Sequence, residues 1–422
     1  TCYLAAGFGR EPEGVQRRFS DGDADAWAAR MGDLPDLQGG IGDVRGGERL
    51  AVVPFHALAQ LERPAVLAVI LPGGGEAGLE RALAVSIGGD GGIASRSPRD
   101  QLDAIELLAA LRAAYDARRL DLPDAVSQVL GRSVSALLGT MMGDAGLSSW
   151  QGAGPIAADE VQAVLAASRV VRRPLRQASD RGYQRIAAAR SVLVMDAAPP
   201  PTSPSAAGAC ASTLAFELSD GEERVIVNCG GALAVADAAL AAGLRSTAAH
   251  STLVLADTNS TALLPDGSLG RGVSEVDLSR QESDAGSRIE ARHDGYARRF
   301  GFRHHRTLTM TGDGLELRGE DVLLPVSGGR RRGTLPVAVR FHLGPTVVPE
   351  LEGGMAGARS ALIRLADGDL WRLTASIGIS GLYDLQPLRH TELQPDLNLS
   401  EDEARDLSPI HHRPTSPAPF IV

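Results

Sequence analysis

The sequence predicts an α+β multidomain chain, with a helical part first and a large antiparallel β-sandwich after it. Three observations predict this. Apolar residues recur at helical spacing up to about residue 180, the period switches to two beyond it, and Gly/Asp turn signals separate the later segments with no helical stretch between them. At 422 residues the chain has room for two to three domains of roughly 150 residues.

Taken in order, residues 78–87 are Ala/Leu-rich. Residues 99–119 form the best-marked helix: Leu102, Ile105, Leu108, Leu111 and Tyr115 make one apolar stripe. Ser97 can cap it, Pro98 suits the first helical position, and Asp100 sits where the helix dipole favours an acid. Residues 123–142 read as a second helix and 157–173 as a third, with Val161, Val164, Leu165 and Val171 facing inward. Helices joined by short Gly/Pro loops point to stacked helical hairpins.

Strands are expected at 183–188, 191–196, 213–218, 224–229, 250–256, 288–293, 306–311, 315–317, 337–343, 361–365 and 370–374. Turn signals such as Ser219-Asp-Gly-Glu222 and Thr311-Gly-Asp-Gly314 divide them, as in a sandwich of hairpins. Its core should contain Leu193, Leu214, Phe216, Val225, Val227, Leu253, Leu308, Met310, Val339, Phe341 and Leu373. Residues 1–75 show neither period. Residues 381–422 read as a disordered tail, although His390, His411 and His412 resemble a metal tract. Residues 328–333 read as an exposed basic loop.

A net charge of −10 argues against nucleic acid as a partner. No apolar run approaches the ~20 residues of a membrane helix. All 42 basic residues are arginine, which excludes Schiff-base chemistry and a P-loop lysine. Three cysteines make no disulfide framework; Cys210 and Cys229 either pair or are small buried residues. Gly73-Gly-Gly75 and Gly88-Gly89 lack the strand–loop–helix setting of a phosphate loop.

Several motifs carry a resemblance. Leu214-Ala-Phe-Glu-Leu-Ser219 followed by Val225-Ile-Val-Asn-Cys-Gly230, then Arg245-Ser-Thr-Ala-Ala-His-Ser-Thr-Leu253, His293-Asp-Gly-Tyr296 and His305-Arg306, resemble in order and spacing the sandwich of the heparinase II/III-like polysaccharide lyases, nearest to the subgroup found in alphaproteobacteria. The segment from Asp90-Gly-Gly through Ser97-Pro98 and the 99–119 helix is similar to the last part of that family's (α/α) toroid. The resemblance implies residues 76–180 as the C-terminal part of a toroid and 181–380 as the sandwich. The chain opens on Thr1, so it reads as a fragment, and both ends are expected to pack poorly around an incomplete toroid.

Such lyases cleave uronic-acid polysaccharide by β-elimination. A base takes the proton beside the carboxylate, an acid protonates the leaving oxygen, and a cationic or hydrogen-bonding group neutralises the carboxylate. The resemblance implies His250 and Tyr296 as catalytic candidates and Arg181, Tyr183, Arg245 and His293 as substrate-binding candidates. It implies a zinc site reduced to Cys210, Asn228 and His250, with Asn228 where the family has an Asp and Gly208 where it has a catalytic His. Asp100 stands where the toroid Tyr would be. Asn is a poor zinc ligand, and a lone His is more often a hydrogen-bonded structural residue. Arg172, Arg173, Arg176, Arg181 and Arg185 at the junction either bind a polyanion through bidentate contacts or form a solvated face.

Two functions follow: a lyase acting on an acidic polysaccharide in the periplasm or cell envelope, or a non-catalytic carbohydrate-binding or scaffold member of the same fold. An unrelated sandwich module is disfavoured by the motif order.

Overall fold

The computed structural model describes residues 83–117, 119–202, 207–326, 335–352, 360–377, 381–387 and 420–421. The expectations for residues 1–75, for the 328–333 loop, for His390, His411 and His412, and for poor packing at the two ends lie outside these residues, in whole or nearly so.

The helical part holds α1 (Pro98–Ala117), α2 (Asp124–Gly139) and α3 (Ala158–Ser168). Ser97 caps α1 as expected, its Oγ accepting the Asp100 N–H at 3.4 Å. The stripe from Leu102 to Tyr115 is buried against Val126, Leu130, Val134 and Leu137 of α2 and Val161 and Val164 of α3. Each fully buried aliphatic side chain there contributes roughly 1.5–3 kcal/mol. Val171, expected inward, is 91% exposed. The reason is local: α3 stops at Ser168, and Arg169 takes a left-handed conformation (φ 53°) that turns the chain away from the core.

The sandwich has two sheets, and every pairing between strands is antiparallel. The first runs β1 (Tyr183–Ala188), β2 (Ser191–Asp196), β3 (Phe216–Asp220), β4 (Glu223–Val227), β10 (Val337–Leu343), with β5 (Leu253–Leu255) and the two-residue β15 (Phe420–Ile421) also paired to β10. The second runs β11 (Val348–Glu352), β12 (Ser360–Arg364), β13 (Leu370–Ile377), β14 (Gly381–Pro387), β9 (Leu317–Pro325), β8 (Phe302–Thr311), β7 (Gly286–His293), β6 (Val276–Ser283). Pairing therefore continues past residue 380, into the stretch expected as tail.

Two helices interrupt the strands: α4 (Ala238–Leu244) and the single turn α5 (Ala297–Phe300). All eleven residues expected in the sandwich core are buried, and ten of them pack in one cluster between the sheets. The Phe216 and Phe341 rings meet edge to face there at 6.1 Å.

Candidate functional site

The helical part meets the first sheet along a junction of buried polar groups. It is closed by the loop between α2 and α3. Gly152 takes a left-handed φ of 81°, which lets the loop press Gln151 onto the chain at Gly208. A Cβ at Gly208 would stand 2.5 Å from the Gln151 carbonyl oxygen, so that position admits no side chain. The Gln151 amide donates to Asp196 Oδ2 (3.2 Å) and Ser212 Oγ (3.0 Å), and its Oε1 accepts the Cys210 N–H (2.8 Å).

The charges around this loop are paired. Arg96 and Asp196 form a buried ion pair, and Arg96 lies over the Tyr183 ring at 5.0 Å. Glu217 accepts from the Ser149 N–H (2.8 Å) and Asn228 Nδ2 (3.1 Å) and faces Arg224 at 3.3 Å, while Arg224 holds Asp144 with two bonds of 2.8 and 2.7 Å. Burial still pushes the Glu217 carboxyl up, against the Arg224 charge. Asp100 is buried too, and desolvation raises it to about 6.

Most junction candidates are engaged in holding the junction together. Tyr183 donates its hydroxyl to the Arg96 carbonyl at 2.6 Å, and burial raises it well above the ordinary phenol range. Arg181 donates to the Gly92 carbonyl at 3.1 Å. The Asp90 carboxylate accepts the N–H groups of Asp180 and Arg181, each at 2.9 Å, and Asp180 Oδ2 returns a bond from the Asp90 N–H at 3.3 Å. Arg185 is buried against the Met141 carbonyl, whereas Arg172, Arg173 and Arg176 are exposed. Arg245 donates to the Ala209 carbonyl (2.7 Å) and the Gly267 carbonyl (2.6 Å).

The three residues expected as a zinc remnant do not form a donor set. His250 is buried, directs Nδ1 at the Ser246 carbonyl (2.8 Å), and is drawn down to about 4 by burial. Asn228 Oδ1 accepts the Ser251 N–H (2.9 Å) while its amide is held by Glu217. Cys210 is a free buried thiol facing the Gly208 carbonyl at 3.3 Å, and burial raises it to about 12. The Cys210–Cys229 pairing left open above is thus not made. Among the described residues no group of three or more His, Cys, Asp or Glu could hold a metal ion.

His293 and Tyr296 belong to the frame of the sandwich. His293, His304 and Asp321 stand on adjacent strands β7, β8 and β9 and are buried. The Gly295 N–H donates to His293 Nδ1 (3.0 Å), which leaves the His293 proton on Nε2, facing His304 Nδ1 at 3.2 Å; His304 then donates from Nε2 to Asp321 at 2.6 Å. Both imidazoles are neutral in this assignment, in line with burial lowering both pKa values. Arg306 completes the row with two 2.8 Å bonds to Asp321, and it also donates to the carbonyls of Leu214 and Ser251, tying the sheets together. Burial alone would raise Asp321; the Arg306 charge and the hydrogen bonds from His304 and Arg306 together outweigh it and hold the carboxyl below the usual range. The inward histidine is His304, not His305 of the motif read from the sequence. Tyr296 is buried, its hydroxyl donating to the Leu253 carbonyl at 3.0 Å, and burial raises its pKa.

Directly outside this frame lies an open groove of about 1090 Å³, walled by residues 256–274 on one side and the Asp294–Phe300 turn and α5 on the other.

The heparinase II/III-like C-terminal family model matches residues 170–405, more than half of the chain. The chain belongs to that family. FtsZ-localized protein C of Caulobacter vibrioides is 32% identical over 280 residues, covering 61% of this chain and 46% of that protein. Among solved structures, a heparinase III (the BT4657 gene product) superposes with a TM-score of 0.54 at 13% identity, covering 79% of this chain and 54% of that one. The heparan sulfate lyase HepC from Pedobacter heparinus gives 0.53 at 14% identity, with 73% and 55% covered. These two likenesses show the fold. The chain spans about half the length of the relatives it matches.

Proposed function

We propose that this chain is a polysaccharide-directed member of the family that works at the cell envelope by holding an acidic glycan rather than cleaving it. One observation carries the reading. Gly208, which the resemblance puts in the place of the family's catalytic His, is pressed onto the Gln151 backbone so closely that no side chain fits. Around it, the other groups the resemblance offers for acid–base work are withdrawn from solvent. His250 bonds a carbonyl and stays neutral down to about pH 4, Tyr296 donates its hydroxyl hydrogen bond to a carbonyl, and Asp100 is buried. General acid–base catalysis needs a group within reach of the substrate proton and titrating near the working pH, and neither His250 nor Tyr296 meets both conditions. A scaffold role also fits the relative FtsZ-localized protein C, which is named for where it assembles and not for a reaction.

The test is to incubate the full chain with uronate polymers, following product absorbance and binding in parallel. Binding without a rise in the unsaturated-uronate absorbance is the expected result. A sustained rise would restore the lyase reading.

A further inference from the structure

We propose that the groove between residues 256–274 and α5 is an anion-binding site, and that its ligand is a stretch of sugar polymer bearing carboxylate or sulfate groups. The proposal rests on the binding reading above and places the ligand on a wall that Arg245, through its bond to the Gly267 carbonyl, ties to the chain at Ala209.

The groove carries charge with no partner among the described residues. Arg271, Arg298 and Arg299 line the groove and are exposed, and none of them makes an ion pair or a side-chain hydrogen bond among the described residues. Arg299 only lies over the Phe300 ring, at 5.2 Å. The acidic groups lining the same groove are Asp257 and Asp294. Asp294 is taken: it accepts the N–H groups of Ser274 (2.8 Å) and Glu275 (3.3 Å) and the Ser274 hydroxyl. Asp257 lies 3.9 Å from Arg340. The surplus is therefore cationic in a chain whose net charge is −10. Guanidinium groups suit this ligand because each offers a planar pair of donors that matches a carboxylate or sulfate edge.

The groove also suits a ligand by size and stiffness. At about 1090 Å³ it reaches the upper end of the roughly 300–1,000 Å³ typical of ligand sites. Its walls are locked before any ligand arrives. A Cβ at Gly295 would stand 2.5 Å from the Ser260 carbonyl, so the Asp-Gly turn packs backbone to backbone on the facing loop. The Val273 N–H donates to Thr261 Oγ1 (3.0 Å), and Asn259 Oδ1 accepts the Thr247 N–H (2.9 Å). The buried row behind, from His293 to Arg306, fixes the turn from within. Preorganised walls reduce the ordering cost of binding.

The experiment compares the full chain with the triple variant Arg271→Ser/Arg298→Ser/Arg299→Ser in titrations against heparan sulfate and polygalacturonate, with dextran as the uncharged control and poly-glutamate as competitor. The triple variant should lose at least about tenfold in affinity, with its melting curve unchanged; dextran should not bind, and poly-glutamate should compete poorly. Should the triple variant fold badly, Arg271→Glu alone should still weaken binding severalfold. If the wild type binds and the variants bind equally well, the groove is overturned and the binding reading survives. If the wild type binds neither acidic polymer, that reading falls and the groove with it. Equal displacement by poly-glutamate would overturn the sugar-polymer assignment.

Discussion

The junction and the groove are built from the same residue types and end in opposite states. At the junction, Arg96, Arg185 and Arg224 are buried or nearly so and bonded to Asp196, the Met141 carbonyl, Asp144 and Glu217. At the groove, Arg271, Arg298 and Arg299 are exposed, with no acidic partner among the described residues. An arginine whose donors are satisfied inside the fold contributes to stability and has little left for a ligand. An unpaired exposed one contributes almost nothing to stability and keeps its donors for recognition.

The sharpest way to break the comparison is Arg96→Met. It removes the cation and leaves Asp196 buried, which should cost about 3–5 kcal/mol in urea unfolding; a loss below about 1 kcal/mol would mean that the junction pairing is not what holds it shut. Next is acid. His250, His293 and His304 are held neutral by burial, whereas an unfolded imidazole takes a proton near pH 6.5. Stability should thus be complete above about 6.5 and decline as pH falls toward 4, by about 3 kcal/mol for His250 alone. Urea titrations every half unit would show it, and a flat profile over that window would contradict the buried, neutral assignment. The smallest effect is expected at Arg298→Ser, within about 0.5 kcal/mol of wild type, measured by the same unfolding experiment. A larger loss would show that the groove arginines also hold the fold.

Much of this architecture was legible because burial leaves a period in the sequence. The bounds of β1, β2 and β10 match the expected segments, and the expected core is buried. Among the strands not expected from the sequence, β6 and β11 are the edges of the second sheet, where a run such as Val348-Pro-Glu-Leu-Glu352 has too few apolar residues to alternate, whereas β14 lies inside that sheet, in the stretch read as a tail. Ala238–Leu244 is too short and too rich in alanine to show an apolar stripe. The Arg306–Asp321 pair was within reach. Counting back from the Thr311-Gly-Asp-Gly314 turn places the two directly opposite each other on β8 and β9, and the same count along β7 sets His293 opposite His304. The junction was out of reach, because Arg96 and Asp196 are 100 residues apart and only the folded chain brings them together.

The reciprocal bonds between Asp90 and Asp180 have a mechanical meaning as well. With the Gly208–Gln151 backbone contact, they leave no slack between the helical part and the first sheet. Arg306 in turn joins that sheet to the second, on which α5 is mounted. These contacts form one continuous set of bonds from the helical part through both sheets to the strand that follows α5, so a displacement at α5 would be felt at the helices.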